Sequence, residues 1–340
     1  MSNANNLDAP APASIPTSPA PVSPPTSASP PAPASSPAVT SSTPVTPSTP
    51  ASPPALISPS TPLRLTTRFL RNELRVTFFR RRNQLLLLVA ALFPLLIGIG
   101  LKAAAPHGGG GSGPSSGGAA FFNQLAGNGV FLTFIALSLL LILVLPVLVA
   151  VVAGDSIAGE AGYGTLRYLL TVPAGRTRLL LVKYVMIVVW CVAAVFIVSA
   201  VALAVGAVLF PVGPVTLLSG TTVSVAAGLV RVLWVTLYIC AAMAAVGAIG
   251  LAISTFTEHA IGAIAAVMIL VVASEVVDNI PQFATVAPYL PTHWWNSFDS
   301  ILRTPVDTTT LWHGLLSFLI YAVVFVLIAW ARFTSTDVTS

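Results

Sequence analysis

Apolar residues in this chain come in long blocks. After a polar opening of about sixty residues, runs of 17 to 27 mostly apolar residues recur, at about Leu85–Leu101, Val130–Ala153, Tyr184–Phe210, Val232–Ile253, Ala260–Val277 and Leu311–Ala331. A helix rises about 1.5 Å per residue, so runs of this length cross the roughly 30 Å hydrocarbon core of a bilayer. The pattern predicts an all-α polytopic membrane protein with six transmembrane helices within residues 63–333. Pro94 and Pro146 fall inside the first two runs and should kink them, which a bundle tolerates because neighbouring helices re-satisfy the freed carbonyls.

Ahead of the first run, residues 63–83 read as an amphipathic helix. At 100° per residue Arg64, Arg68, Arg71, Arg75 and Arg82 share one stripe, flanked by Leu65, Phe69 and Val76 on one side and Leu63, Leu70 and Leu74 on the other. Such a helix lies in the headgroup layer. Its charge either orients the first span or also meets a cytoplasmic partner, and Glu73, on the apolar side, fits neither role. Residues 1–62 hold 18 of the 29 prolines, with Ser, Thr and Ala and the single charge Asp8. They cannot bury enough apolar surface to offset their ordering entropy, so a disordered cytoplasmic tail is expected there. It has neither the basic start nor the apolar stretch of a signal peptide, and is expected to stay attached. Residues 334–340 form a short cytoplasmic tail at the other end.

Composition narrows the class further. Of 340 residues 55% are hydrophobic and 7% charged, against roughly a quarter charged in soluble domains, which excludes an ordinary soluble enzyme. The net charge of +5 does not point to nucleic acid, because the 15 Lys and Arg residues sit beside the apolar runs. With both ends inside, twelve of them fall in cytoplasmic segments: Arg64, Arg68, Arg71, Arg75, Arg80, Arg81, Arg82, Arg167, Arg176, Arg178, Lys183 and Arg332. Lys102, Arg231 and Arg303 alone lie on the outer side, so the positive-inside bias supports an even number of spans in a plasma membrane.

Little chemistry is visible in the polar positions. The outer stretch HGGGGSGPSSGG of residues 107–118 lacks the Gly-Lys-Ser/Thr ending of a phosphate-binding loop. The four histidines are scattered, with no metal-ligand spacing, and Cys191 and Cys240 are single residues inside apolar runs. Glu275, near the end of the fifth span, either reaches the outer interface beside Asp278 or lines a translocation path. Arg231, just before the fourth span, is expected to snorkel outward unless a longer helix buries it. Glu258 and His259 occupy a tight inner turn that is either solvated or a second partner contact. The outer segment 278–310, with Pro281, Pro288, Pro291, Trp294 and Trp295, reads as an interfacial anchor made of short, broken helices.

One loop carries a functional signal. In GDSIAGEAGYGTLRYLLTVPAGRTRLLLVKY, Gly154–Tyr184, the glycines break any long helix, Thr165 can cap a short one, and Pro173 ends it. Two isolated turns are unstable in water, so this helix needs a packing partner, and Leu166, Leu169 and Leu170 beside Arg167 form a ridge for a groove.

Here the chain resembles the type-2 ABC permease family. The matching positions are Glu160, Gly164, Thr165, Leu166, Leu169, Leu170, Pro173, Arg176 and Lys183, together with the amphipathic opening helix, six spans and a Pro-x-x-Trp feature at Pro291–Trp294. The family often has a charged pair where Ala161 and Gly162 stand, and Ser or Arg where Gly175 stands. The resemblance implies that this loop docks on a separate ATPase subunit, which binds ATP and Mg, while this chain carries no cofactor and no catalytic residue. It also implies a second permease protomer, a substrate path between protomers, and an exporter of unspecified cargo. Among the rivals, a secondary transporter would show buried ionisable groups and two related halves, and a membrane scaffold or sensor would act through the tail.

The topology is directly testable. Single cysteines placed at 112–118 are expected to react with an impermeant maleimide added outside intact cells, and labelling of those positions only after lysis would reverse it.

Overall fold

The computed structural model describes residues 62–104, 128–162, 176–217 and 219–335. The tail 1–61, the 105–127 stretch, the 163–175 segment and the last five residues lie outside the described residues. What is described is all-α apart from one small hairpin: α1 Pro62–Phe79, α2 Arg81–Ala104, α3 Phe131–Ile142, α4 Val144–Asp155, α5 Ala158–Gly162, α6 Arg176–Leu209, β1 Val215–Thr216, β2 Thr222–Val223, α7 Val225–Ser254, α8 Ala260–Asp278 and α9 Thr308–Ser335. Between α8 and α9 come three 3-10 segments, Pro281–Phe283, Ala287–Tyr289 and Trp295–Leu302, which are the short broken helices expected of this Pro- and Trp-rich stretch.

Five helices, α2, α6, α7, α8 and α9, are each long and apolar enough to cross a membrane, and the α3–α4 pair supplies a sixth crossing if it is one span. The break in that pair is sharper than a kink. The two halves meet at 52°, with Leu143 at φ −138° between them. Pro146 explains the position: it has no N–H to bond the Ile142 carbonyl four residues back, and its ring crowds that carbonyl. The ladder resumes one residue later, where Val147 N–H donates to Leu143 O at 3.0 Å. Pro94, by contrast, leaves α2 a single helix.

Three boundaries differ from the sequence expectation. The amphipathic helix does not run to residue 83 but stops at Phe79, and a new helix starts at Arg81, so Arg82 leaves the stripe of Arg64, Arg68, Arg71 and Arg75. The third span begins at Arg176, and its 34 residues make a helix about 51 Å long, well beyond the hydrocarbon core. The fourth starts at Val225, capped by Ser224 through its side chain to Ala227 N–H, and so takes in Arg231. Hydropathy marks only the oily part of a helix, whereas hydrogen bonding carries the backbone on into the polar layer.

The bundle is built around α7. Of its span 72% is buried, against 17% for α2 and α9 and 22% for α8. Its alanines and glycines allow α3, α4, α6, α8 and α9 all to pack against it. Gly250 meets Ala153 of α4 so closely that a Cβ would lie 2.7 Å from the alanine methyl. Such small-residue contacts let helix backbones approach in lipid, where no hydrophobic force drives helices together. Ser199 of α6 and Thr236 of α7 add a buried hydroxyl pair at 3.0 Å. At the far end, a Cβ on Gly206 of α6 would strike the Gly129 carbonyl at 2.0 Å, so only glycine fits at this crossing.

Contacts between helix ends fix the relative sidedness. The start of α2, the end of α4, the starts of α6 and α8, and the ends of α7 and α9 gather at one end of the bundle. Arg80 and Arg82 reach Asp155, Ser254 reaches Gly154, Trp330 Nε1 donates to Thr177 Oγ1 at 2.9 Å, and Arg332 lies 5.5 Å from the Phe256 ring centroid. Asn128, donating to the carbonyls of Gly213 and Pro214, and Arg231 lie at the opposite end. The bent pair α3–α4 therefore runs the full height of the bundle.

Candidate functional site

A cluster of charged residues lies at the end of the bundle where α2 and α6 begin and α4 and α7 finish, the end that carries Arg80, Arg81, Arg82, Arg178 and Lys183. Lys183 sits about 10 Å into α6 from its first residue, one position before the apolar run. Its side chain is only 4% exposed, and a buried ammonium persists only with partners. It has two. Glu73 of α1 accepts from Nζ at 3.3 Å, and Glu160 of α5 accepts a closer bond. One lysine thus ties together three elements that are far apart in sequence.

Glu73 is the residue that made no sense on the apolar face of an amphipathic helix. In the fold that face turns to α6, with Leu70, Leu74 and Phe78 packed against the core and Glu73 aimed at Lys183. Arg71 and Arg75 are exposed on the other side. The backbone of α1 includes Arg64 and Arg68, whose side chains lie outside the described residues.

A second ion cluster adjoins the first. Arg80, at the α1–α2 break, and Arg82, in the first turn of α2, both reach Asp155 Oδ2 at the end of α4, at 2.5 and 2.8 Å. Each guanidinium is about half exposed, so solvent screening limits each pair to about 0–1 kcal/mol. The break itself is held by Asn83, whose Nδ2 donates to Thr77 O at 2.9 Å, while the Thr77 hydroxyl donates to Met186 Sδ of α6 at 3.3 Å.

Ser254, the last residue of α7, holds the turn that leads from α4 to Glu160. Its hydroxyl donates to Gly154 O at 3.0 Å and accepts from the N–H groups of Ile157 and Ala158 at 3.1 and 2.9 Å. These are orphan donors at the start of a short helix, and a side-chain oxygen supplies what no preceding turn can. Glu73, Thr77, Arg80, Arg82, Asn83, Asp155, Glu160 and Lys183 line one cavity of about 250 Å³ between these elements. Burial holds the Glu160 carboxyl above the usual carboxylate range, against the pull of Lys183, and nearby Glu73 adds to the rise.

The other expected site residues divide as follows. Gly164, Thr165, Leu166, Arg167, Leu169, Leu170 and Pro173 lie outside the described residues, and Arg176 opens α6 with its side chain undescribed. The Glu258 and His259 turn is exposed, and it lies beside α5, since a Cβ on Gly162 would sit 3.1 Å from Glu258 O. Glu275 is half-buried near the opposite end, next to the Ser274–Thr292 hydroxyl pair at 2.8 Å and one turn before Asp278, which contacts His293 Nδ1 at 2.5 Å. Arg231 lies inside the longer α7 and is partly exposed. It donates to the carbonyls of Ile301 and Arg303 and reaches Thr304, so it closes the last 3-10 segment onto α7.

The roles of Asp155, Ser254 and Asn83 were not read from the sequence. A carboxylate directly after an apolar run, within reach of a basic triplet, was the available signal for Asp155. Nothing in the sequence marks Ser254, whose partners are about a hundred residues away. Among the described residues no group of His, Cys, Asp and Glu could hold a metal ion.

Two outcomes follow from the Lys183 cluster. Lys183→Met leaves two carboxylates buried without their cation and is expected to cost about 3–5 kcal/mol. The triple variant Glu73→Gln, Glu160→Gln, Lys183→Met removes every charge and should recover most of it in detergent unfolding. A raised folded pKa means that the native state binds the Glu160 proton more readily than the unfolded chain. That contribution to stability is full below the unfolded value of about 4.3 and is lost as pH rises through the folded value, so Glu160→Gln should flatten an unfolding series run upward from about pH 4.

No curated protein matches the chain. A family described as Protein of unknown function (DUF2705) matches residues 111–339, which span α3 to α9 and include Asp155, Glu160, Lys183 and Ser254, while Glu73, Arg80, Arg82 and Asn83 precede the matched region. With about two thirds of its length matched, the chain belongs to the DUF2705 family.

Proposed function

We propose that this chain is the membrane-spanning permease subunit of an ATP-driven exporter of the type-2 ABC kind. The carrying observation is the anchoring of the loop between α4 and α6. Asp155, Ser254 and Glu160 hold its first half, and Lys183 holds its return, on one side of α1. A loop fixed at both flanks delivers force applied to its middle into α1, α4, α6 and α7 together, which is what a coupling element requires. The middle, residues 163–175, contains the Gly164–Thr165–Leu166 and Leu169–Leu170 positions that resemble the family.

On this reading a separate ATPase subunit binds ATP and Mg and docks on that loop at the basic end, which faces the cytoplasm of a plasma membrane by the positive-inside bias. Both chain ends lie on that side, and a second permease protomer completes the path. Glu275, at the opposite end, is then placed toward the exit. A secondary transporter would use buried ionisable groups near the bilayer midplane. The Lys183 cluster lies instead at the level where the spans begin, and its role is mechanical.

Co-expression with ABC ATPase subunits of the same genome tests the proposal. The intact chain is expected to capture one of them, and Arg167→Ala combined with Leu169→Ala and Leu170→Ala should reduce capture at least tenfold, about 1.4 kcal/mol, without loss of the folded bundle. Failure of the intact chain to capture any ATPase would sink the permease reading.

A further inference from the structure

One face of α1 packs on α6, and the other carries charge that nothing answers. At 100° per residue Arg71, Arg75 and Phe79 fall within about 80° of one another, on the side opposite Glu73. All three are exposed, Phe79 at 71%, and Val76 beside them is 48% exposed. Arg81, at the start of α2, is exposed as well. Arg80 and Arg82 are answered by Asp155, whereas Arg71, Arg75 and Arg81 have no ion or hydrogen-bond partner among the described residues.

Contacts on the packed face give the depth of the free one. Glu73 meets Lys183, one residue before the apolar run of α6, and Thr77, one turn on, meets Met186 inside that run. Arg71 and Arg75 are each about 3 Å along the helix axis from Glu73, so they lie at the level where the apolar surface begins. Val76 and Phe79 lie at the deeper level of Thr77. The next helix repeats the order: Arg81 stands one turn before Leu85 and two turns before Leu88, both 62% exposed, on a span only 17% buried. Unanswered cations at a rim, with open apolar surface beneath them, thus occur on two successive helices.

A soluble partner cannot follow this surface below the cations, because it continues into the hydrocarbon layer. A lipid can, with its phosphate on the guanidiniums and its chains against Phe79, Leu85 and Leu88. We propose that Arg71, Arg75 and Arg81 form a binding surface for anionic phospholipids of the adjoining leaflet. Three guanidiniums without a carboxylate favour a headgroup of net negative charge over a zwitterion, whose own ammonium offsets its phosphate. Bound lipid then holds α1 from outside, as Lys183 holds it from the bundle side through Glu73. None of this depends on the exporter reading, and an ATPase enters the test only as a rival partner.

The full chain, purified and stripped of lipid in a neutral detergent, is offered equal amounts of dioleoyl phosphatidylglycerol and dioleoyl phosphatidylcholine at low salt, and retained lipid is counted by native mass spectrometry. Phosphatidylglycerol is expected to be retained about tenfold better, each cation near a lipid surface being worth up to about fivefold. The triple variant Arg71→Gln, Arg75→Gln, Arg81→Gln should bring that ratio close to one. Lysine at the same three positions should keep the preference, and Lys102→Gln, at the opposite end of α2, should leave it unchanged. Equal retention of the two lipids by the unaltered chain, a preference that survives the triple glutamine variant, or its loss in the lysine or Lys102→Gln variants would overturn the proposal. Displacement by an equal concentration of soluble glycerophosphoglycerol would overturn the lipid source. A triple glutamine variant that keeps its lipid but no longer captures an ATPase subunit would assign the face to that partner instead.

Discussion

Close backbone approach onto α7 is the constraint on which the rest of this bundle depends. Lipid tails solvate a leucine as well as a neighbouring helix does, so apolar area alone gives these helices no reason to associate. What remains is dispersion at short range, and that requires small residues at the crossings. Gly250 against Ala153, Gly154 against Ile264 and Gly206 against Gly129 supply them, along the height of the bundle. A helix as rich in alanine and glycine as α7 can accept neighbours on nearly every side, which is why it is the most buried span.

Because α7 fixes α4 and α6 in place, the ends of those helices are also fixed, and the ion clusters form there. Ser254 completes α7 and at once organises the turn after α4, so the backbone that presents Glu160 is an extension of the core. Lys183 then gathers α1 and α5 onto α6. A buried ammonium contributes little net stability against a hydrophobic replacement, but it tolerates very few arrangements of its partners. Its value here is positional: it sets how the amphipathic helix lies against the bundle, and with it the shape of the cavity.

The one anomaly of the sequence, Glu73 on an apolar face, proved to be among its most informative positions. Its neighbours in the fold are Asp155, two residues after an apolar run, and Lys183, at the threshold of another. They occupy one small region, each answering a charge contributed by another. Arg231 behaved in the same way at the opposite end, satisfying carbonyls that a 3-10 segment leaves open.

By itself the sequence determined that this is an all-α polytopic membrane protein, where its apolar segments lie, and that the segment 278–310 is broken into short turns. Hydropathy, proline and charge bias are local quantities, and a bilayer reads them locally. The tertiary structure alone decided that the second span breaks at Leu143, that α1 ends at Phe79, that α7 is the centre, and that Glu73, Glu160 and Lys183 meet. Those outcomes depend on distances between residues up to 110 positions apart, which no periodicity encodes. Helix pairing in lipid is chosen by the fit of small surfaces, and that fit exists only once the helices are together.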